Sequence, residues 1–367
     1  MKIQLVDLDQ RTKDEKKDLK KCFNKILSNK SFVLGNELNL FEKDIQKFTK
    51  SKYCLGLNSG TDALMLGLWA LGIKKGDEVI TTPLSFVATI GAITHLGAIP
   101  VFVDVGEDLN INPKLIEKKI TKKTKAILPV HWGGRMCKMD EIMSIAKKNK
   151  ILVIEDAAQA IGGYYKKKHA GTFGEVGAFS AHPLKILNGI GDGGYLITNN
   201  KKIYDRIKKY RNHGLVGRDE VEFFGVNSRL DCLQAEILRF RLNKVNDIIK
   251  KRTRNISLYQ KLIKTNRVNF LEVNDSKTKN TFNLFHAFAE KRDKLIKFLN
   301  KMEIDCKVYY PTPLHLHKAS IGLGYKKGSL PKAEMLVKKI VSFPFHQYLN
   351  KRQIEYVAKK INYFYKN

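Results

Sequence analysis

The chain has 367 residues, 43% of them hydrophobic, and a formal net charge of +31 at pH 7. This length allows a large domain and a smaller one, each with a core of its own. No segment approaches the roughly eighteen consecutive apolar residues of a membrane span, and the polar N-terminus lacks the apolar segment typical of a signal peptide. Five scattered cysteines without a CxxC pair favour a reduced, cytoplasmic protein over a disulfide framework or a metal site.

The positive charge raises the alternative of a nucleic-acid-binding protein. The lysines are spread along the whole chain in ones, twos and threes, and no RNA- or DNA-binding motif accompanies them. We therefore expect a solvated basic surface, with neither nucleic acid nor membrane as a partner, and nucleic-acid binding stays an alternative that depends on charge alone. A basic field could also help to collect a phosphorylated substrate.

Helices and strands alternate along the first two hundred residues. Helices are predicted over 11–30, within 31–50, from Ala63 onward, and over 85–97, 112–120 and 139–149. Strands are predicted at 53–57, 78–83, 99–105, 125–132, 151–154 and 176–179, with an antiparallel strand at 195–200. This alternation predicts an α/β fold with a doubly wound, largely parallel sheet and helices on both faces.

The C-terminal part is predicted as a separate, smaller α+β unit. A long amphipathic helix from Asp231 to residue 263 would bridge to it. Beyond the bridge, a strand is predicted over 283–290 and a strand-to-loop segment over 306–317. Helices are predicted over 292–302 and 352–366, and a helix followed by a turn over 333–346. We therefore assign a large domain to 1–250 and a small domain to 251–367, and expect the ligand in the cleft between them.

Polar side chains follow two of the predicted buried strands. Asp156 and Gln159 come after the strand that begins at Ile151, and Ser180 and Lys185 follow the strand that begins at Val176. The carboxyl ends of parallel strands line a common ligand crevice, so these side chains should converge. An anion, an amide, a hydroxyl and a lysine in one pocket indicate a covalent-lysine site for an electron-sink cofactor.

Each of these residues also has a simpler interpretation. Lys185 could be surface charge, although its apolar surroundings in AHPLKIL favour a depressed pKa and a nucleophilic amine. Asp156 could cap a short helix, Phe86 could be a core aromatic instead of a ring that stacks on a cofactor, and His182 could be packing instead of a proton relay.

Two glycine-containing segments suggest phosphate binding. Gly60 and Thr61 stand between a strand and an apolar helix, where free N–H groups and a hydroxyl can hold a phosphate, although a plain capped helix start fits equally well. The GIGDGG segment at 189–194 matches a dinucleotide fingerprint in letters only, because it precedes a strand instead of following one. We interpret it as a flexible turn beside Lys185.

Taken together, these motifs resemble the DegT/DnrJ/EryC1/StrS sugar aminotransferases of fold type I. The resemblance covers almost the entire chain and rests on segments in the same order, including NSGTDAL, PLSFVAT, VIEDAAQAIGGYY, AHPLKILNGIGDGG, GVNSRLDCLQAEIL and YYPTPLHLH. It implies a three-layer α/β/α large domain with a mostly parallel seven-stranded sheet, a smaller α+β C-terminal domain, and pyridoxal 5'-phosphate (PLP) as cofactor.

The resemblance also implies a role for each matching position. Lys185 matches the lysine that forms the internal aldimine with PLP, and Asp156 matches the partner of the pyridine nitrogen. The remaining cofactor positions are Gly60, Thr61, Phe86, Gln159, Ser180 and Asn227. Asn227 matches an asparagine that reaches the cofactor of a neighbouring subunit, which implies a homodimer with shared active sites. His182, His315 and His317 are expected near the sugar substrate.

The expected activity is transfer of an amino group, from L-glutamate, to a keto-sugar. The expected substrate is a nucleotide-linked keto-deoxysugar, with a 3-keto sugar as one option and the aminated carbon left open. It would fit a route to amino sugars of surface polysaccharides such as O-antigens, or of other glycoconjugates. An aminotransferase acting on a non-nucleotide keto-sugar acid, a PLP-dependent deoxysugar dehydratase and a cofactor-bearing regulator remain alternatives. Lys185 argues against the dehydratase, because those relatives carry a histidine in its place.

Overall fold

The computed structural model describes residues 1–366 as eleven α-helices and thirteen strands. The helices are α1 Leu8–Asn29, α2 Asn36–Thr49, α3 Gly60–Ala70, α4 Ala88–His95, α5 Met139–Asn149, α6 Lys201–Tyr210, α7 Cys232–Leu242, α8 Val245–Leu262, α9 Arg292–Lys301, α10 Pro331–Val337 and α11 Lys351–Lys366. The strands are β1 Tyr53–Leu57, β2 Glu78–Thr81, β3 Ile99–Phe102, β4 Thr124–Leu128, β5 Leu152–Asp156, β6 Tyr164–Tyr165, β7 Lys168–His169, β8 Val176–Ser180, β9 Gly194–Thr198, β10 Val268–Phe270, β11 Thr278–Lys279, β12 His286–Ala289 and β13 Ile340–Ser342.

Seven strands form the main sheet in the order β1-β9-β8-β5-β4-β2-β3. The five strands from β8 to β3 run parallel, and β9 lies antiparallel to both of its neighbours. Successive side chains of β5 point to opposite faces of the sheet. Val153 packs against one layer of helices and Ile154 packs against the other. The predicted three-layer α/β/α fold with a mostly parallel seven-stranded sheet and an antiparallel member is confirmed.

A second unit forms around the three-stranded sheet β10-β12-β13. Its core includes Leu295 and Leu299 from α9, Val357 from α11, and Ile256 and Tyr259 from the end of α8. The beginning of α8 packs in the core of the main sheet instead, so this helix bridges the two units as predicted. The domain division predicted at residue 250 falls inside α8.

The N-terminal residues also belong to the second unit. Ile3 is buried in its core and forms a parallel bridge with Ile304, and the N–H of Leu5 donates to Asp305 Oδ2 at 3.2 Å. The segment before α1 therefore crosses from the second unit toward the main sheet, which a division at residue 250 alone does not describe.

Over 333–346 the structure has the helix α10 and then the strand β13 in place of a turn, because Ile340–Ser342 pairs with β12. The strand predicted within 306–317 is reduced to an isolated bridge between Lys307 and Ser342.

Two further predicted helices take a different form. Residues 112–120 make two short 3₁₀ turns, Pro113–Leu115 and Glu117–Lys119, because so short a segment gains few of the hydrogen bonds that repay helix nucleation. The helix predicted from Asp231 to residue 263 is interrupted between Leu242 and Val245, so that α7 stays on the main core while α8 changes direction toward the second unit. Within residues 1–366, no helix is both long enough and apolar enough to cross a lipid bilayer.

Candidate active site

A cavity of about 590 Å³ opens at the carboxyl ends of β5 and β8. Asp156, Gln159, Ser180 and Lys185 all line it, as the ends of neighbouring parallel strands require. The other predicted residues that reach the cavity are Gly60, Thr61, Phe86 and His182. The second unit supplies the remaining wall through residues such as Tyr310 and Phe345.

Lys185 is held by a tight turn directly after β8. Its backbone N–H donates to the carbonyl of His182 at 2.9 Å, and its own carbonyl accepts from Asn188 Nδ2 at 2.8 Å. Burial lowers the pKa of its amine from 10.5 to about 8, against the opposing effect of the Asp156 carboxylate. At neutral pH about one tenth of an amine with such a pKa is unprotonated, far more than for an ordinary lysine, and the neutral amine is the nucleophile.

Asp156 ends β5 and is only 5% exposed. Thr89 donates its hydroxyl proton to Asp156 Oδ2 at 2.7 Å, and the N–H of Ala158 donates to Oδ1 at 3.2 Å. Burial raises the pKa of the carboxyl, while these hydrogen bonds and the nearby Lys185 lower it. Asp156 precedes a turn, not a helix, so its alternative as a helix cap does not apply.

Thr89 is itself supported by a second hydroxyl. Ser85 Oγ lies 2.6 Å from Thr89 Oγ1, and both residues are buried. Because the single hydroxyl proton of Thr89 points to Asp156, Ser85 must donate to Thr89. This pair was not predicted from the sequence; it lies in the PLSFVAT segment, where only Phe86 was a candidate site residue.

The start of α3 forms a cradle at one end of the cavity. Ser59 caps the helix by accepting from the N–H of Asp62 at 3.1 Å, and the unpaired N–H groups of the first turn are those that bind anions at helix N-termini. A Cβ on Gly60 would come within 2.7 Å of Ser180 Cβ, and one on Gly194 within 2.2 Å of the Ser59 backbone. Glycine is therefore required for this close approach of helix and strands.

Gln159 and Phe86 complete the wall of the cavity. Gln159 Nε2 donates to the Tyr310 hydroxyl at 3.4 Å, whereas its Oε1 is buried and unpaired within residues 1–366. Phe86 is 53% exposed with its ring centroid 6.1 Å from that of Tyr310, so it is not a core aromatic. A free amine, a buried carboxylate, an unpaired amide oxygen, an exposed ring and a helix N-terminus together fit the parts of PLP.

Three of the predicted site residues lie away from the cavity. His315 is 2% exposed, packs near Phe102 and Tyr325, and shares a hydrogen bond with Glu334 at 3.0 Å. It therefore cannot contact a ligand in this cavity, contrary to the expectation, because a 3₁₀ turn at Leu314–Leu316 directs its ring inward. His317 is exposed and its Nε2 donates to the carbonyl of Thr312 at 3.2 Å.

Asn227 is also exposed and outside the cavity of its own chain. Its Oδ1 accepts from Arg229 Nε at 2.8 Å. The five cysteines are buried and free, and residues 1–366 contain no group of three or more metal-ligating side chains.

A parallel sheet whose carboxyl edge presents a lysine, a buried aspartate and a helix N-terminus to one cavity defines a class, the PLP-dependent aminotransferases of fold type I. Residues 13–362 match the model of the DegT/DnrJ/EryC1/StrS aminotransferase family. The chain belongs to this family and is a PLP-dependent aminotransferase.

The similarity to known proteins extends over the whole chain. A Geobacillus stearothermophilus protein named pleiotropic regulatory protein is 38% identical, with 100% of both chains covered. The dTDP-3-amino-3,6-dideoxy-alpha-D-galactopyranose transaminase of Aneurinibacillus thermoaerophilus is 36% identical, with 98% of this chain and 99% of that protein covered. The crystal structure of DesV from S. venezuelae in complex with a ketimine intermediate superposes with a TM-score of 0.96 at 33% identity, covering 100% of this chain and 99% of that one.

Proposed function

We propose that this cytoplasmic enzyme transfers an amino group from L-glutamate to carbon 3 of a nucleotide-linked 3-keto-deoxysugar. The observation that carries the proposal is a lysine amine with a pKa of about 8 in the same cavity as the buried Asp156. The named Aneurinibacillus relative, a transaminase of a dTDP-linked 3-amino sugar, supports both the nucleotide-linked substrate and the position.

Each residue of the cavity has a distinct task in this proposal. PLP, when bound, supplies the electron sink for the charge left after proton removal beside the reacting nitrogen. Lys185 holds the cofactor between turnovers, and its Nζ takes the proton from one carbon and returns it to another. Asp156, kept anionic by Thr89, holds the proton on the ring nitrogen.

The other wall residues bind and orient. The N–H groups of the first turn of α3, with Ser180, hold the phosphate, because a helix N-terminus favours an anion. The unpaired Oε1 of Gln159 accepts from a hydroxyl of the bound group, and Phe86 covers the flat face of the ring. His182, at the cavity edge, is placed to contact the sugar.

We also propose a homodimer with shared sites. Asn227 does not reach its own cavity, and its loop carries Phe224, which is 95% exposed. Leu184 and Ile190, near Lys185 in sequence, are 43% and 51% exposed, so apolar surface lies on both segments. A second copy packed on this surface could bring Asn227 to the phosphate end of the other cavity.

The dimer has its own test. A mixture of Lys185→Ala and Asn227→Ala proteins, denatured and refolded together, should regain part of the lost activity, because a mixed dimer has one cavity with both residues intact. Each variant refolded alone is the control. A mixture that stays as inactive as its components, although it refolds to dimers, would show that Asn227 serves no partner site.

The activity is tested by a substrate screen. The purified protein is incubated with L-glutamate and a panel of keto-sugar nucleotides that differ in nucleotide and keto position, and product mass and 2-oxoglutarate are measured. We expect 2-oxoglutarate together with an amino sugar from a 3-keto substrate. If only a 4-keto sugar or only a free keto-sugar acid is converted, the proposed substrate is wrong but the proposed transaminase activity is correct.

The regulator is the second candidate, since the Geobacillus relative carries a regulatory name. A regulator or a dehydratase would bind PLP without releasing 2-oxoglutarate from glutamate in the presence of any keto-sugar. The same screen therefore distinguishes all three functions.

A further inference from the structure

The turn that carries Lys185 has little regular structure to hold it. Residues 181–189, which we call the Lys185 turn, contain neither helix nor strand. Its ends are joined by a backbone hydrogen bond from the N–H of Gly189 to the carbonyl of Ala181 at 2.7 Å, and Leu184 in its middle is 43% exposed. Side-chain contacts must therefore contribute to fixing the residue that bears the reactive amine.

Asn188 supplies such a contact from inside the turn. It is 3% exposed, and its Nδ2 donates to the carbonyls of Lys185 and Ile186 at 2.8 and 3.1 Å. The two N–H donors of an asparagine amide match these two carbonyls in number. Because one of the carbonyls belongs to Lys185 itself, these bonds hold the backbone from which the amine-bearing side chain extends.

Two arginines from distant parts of the chain orient the Asn188 amide. Arg11 of α1 and Arg241 of α7 donate from Nη1 to Asn188 Oδ1 at 3.1 and 2.6 Å. A guanidinium group can only donate hydrogen bonds, so both arginines require the oxygen of the amide. The NH₂ group must then face the carbonyls of Lys185 and Ile186, and no flipped orientation satisfies all four partners.

Both arginines also bind the backbone of the turn directly. Arg11 Nη1 donates to the carbonyl of Pro183 at 2.8 Å, and Arg241 Nη1 donates to the carbonyl of Gly189 at 2.9 Å. Glu15 of α1, which is buried, forms an ion pair with Arg241 at 2.8 Å. Helices α1 and α7 therefore hold the turn from the side opposite to the cofactor.

This arrangement has an electrostatic cost. Two buried guanidinium groups converge on one amide oxygen, and within residues 1–366 Glu15 forms an ion pair with Arg241 but not with Arg11. Burial lowers the pKa of Arg11, and the nearby Arg241 lowers it further. Local arrangements that are unfavourable by themselves are expected where function requires them, and here the two cations fix one turn of the active site.

We propose that Asn188, oriented by Arg11 and Arg241, is a positioning residue for Lys185. The inference rests on the role that the proposed function gives to Lys185, whose amine must reach the cofactor and then two different carbon atoms. A fixed backbone beneath a mobile side chain keeps these positions aligned, and a displacement of 1 Å can slow such a reaction about a hundredfold. Asn188 does not line the cavity, so it acts through the backbone of Lys185.

Asn188→Asp is the most informative variant. A carboxylate accepts from both arginines through charge-assisted bonds, but it has no N–H to donate to the carbonyls of Lys185 and Ile186. The protein should therefore fold, while the turn loses its inner hydrogen bonds. We expect kcat to fall about tenfold, with the KM for L-glutamate changed by less than about twofold.

Hydrogen exchange of the cofactor-free protein reports on the turn without any turnover. In Asn188→Asp the amides of 181–189 should exchange faster than in the wild type, while those of α1 and α7 should keep their wild-type rates. A uniform increase over the whole chain would indicate a general loss of stability and would contradict a positioning role.

The rate of PLP attachment separates a misplaced amine from one with an altered pKa. Asn188→Ala, which adds no charge, should attach PLP about tenfold more slowly at every pH, measured by stopped-flow absorbance. The inflection should stay near pH 8, because burial and Asp156 set the pKa of Lys185. If Asn188→Ala does not fold, Asn188→Asp decides the matter.

A second asparagine provides a matched control for stability. Asn200 caps α6, and its Oδ1 accepts from the N–H groups of Lys202 and Ile203 at 2.9 and 3.4 Å. Asn200→Ala also removes two hydrogen bonds of an asparagine, so it should lower the unfolding temperature. Its kcat, PLP attachment and hydrogen exchange over 181–189 should match the wild type.

The outcomes distinguish this inference from the function on which it rests. Wild-type attachment rates and wild-type exchange over 181–189 in the Asn188 variants would overturn it, even if the enzyme transaminates sugars. An equal loss of kcat in Asn200→Ala would assign the effect to stability and would also overturn it. Slower attachment and faster exchange in a protein that releases no 2-oxoglutarate would leave the positioning role standing and defeat the proposed function.

Discussion

The two walls of the cavity are built in different ways. The cofactor wall comes from segments that directly follow parallel strands of the main sheet, and its aspartate is hydrogen-bonded on both oxygens. The opposite side is assembled from α8 and the second unit, which contribute Arg252, Asn283 and His346. The geometry of the first wall is set by one sheet, whereas that of the second depends on how the two units pack together. Substitutions on the first wall should therefore affect cofactor chemistry before they affect the packing of the units.

Replacement of Lys185 should have the largest effect. Lys185→Ala removes both the covalent attachment point and the proton carrier, so turnover should fall by at least about 10³-fold. Measurement of 2-oxoglutarate release checks this, with the exposed Lys201→Ala as control. Turnover retained in Lys185→Ala would show that another group carries the proton.

Asp156→Asn should be next, with a decrease of about 10²-fold in turnover. The amide has nearly the same shape but cannot hold the ring nitrogen in its protonated state. Because burial raises the pKa of this carboxyl, its charge is disfavoured in the folded protein, so the variant should unfold at the same or a higher temperature than the wild type. A lower unfolding temperature without cofactor would mean that Asp156 is structural.

The pH dependence of cofactor attachment sharpens the role of Lys185. With an amine pKa of about 8, the rate at which the cofactor-free protein attaches PLP should rise with pH up to about 8 and level off above it. Below that point the neutral fraction falls about tenfold per pH unit. Stopped-flow absorbance measures the rate. In Asp156→Asn the inflection should move to lower pH, because the carboxylate raises the pKa of Lys185; a rate that keeps climbing toward pH 10 would indicate an ordinary surface lysine.

Thr89→Val should have the smallest of these effects. The variant loses one hydrogen bond to a charged group, so activity should fall by roughly tenfold. The carboxyl pKa should rise, and the absorbance change that reports protonation of the bound cofactor should shift in pH. Thr89→Ser, which keeps the hydroxyl, should restore both activity and pH profile. If Thr89→Ser restores neither the activity nor the pH profile, the packing of the Thr89 methyl group matters and not its hydroxyl.

The cofactor wall could be predicted because its signals are local. Lys185, Asp156 and Ser180 each occur within a few residues of a short apolar strand, and parallel strands bring such positions together. Thr89 and Ser85 were missed because a hydroxyl inside a predicted helix has no distinctive pattern. His315 was misplaced for a related reason: the direction of a ring in a loop depends on tertiary packing that sequence spacing does not contain.

The contribution of Arg252, Asn283 and His346 to the cavity could not be predicted, for a physical reason. Arg252, Asn283 and His346 are separated by up to about a hundred residues, and lysines and arginines are common throughout this chain. An arginine without a counter-ion becomes noticeable only once burial and neighbours are known. The interruption between α7 and α8 was equally hidden, since both helices have apolar residues at helical spacing, and the passage of α8 from the main core to that of the second unit is a tertiary feature.

The position of β9 in the main sheet has a consequence for folding of the chain during translation. Strand β1 pairs with β9 alone in the main sheet. After β1 has been synthesised, about 140 further residues must be translated before its pairing strand exists. Until then the phosphate seat at Gly60 lacks its counterpart at Gly194. Nascent chains that stop short of β9 should expose an unpaired apolar strand and be a target for chaperones.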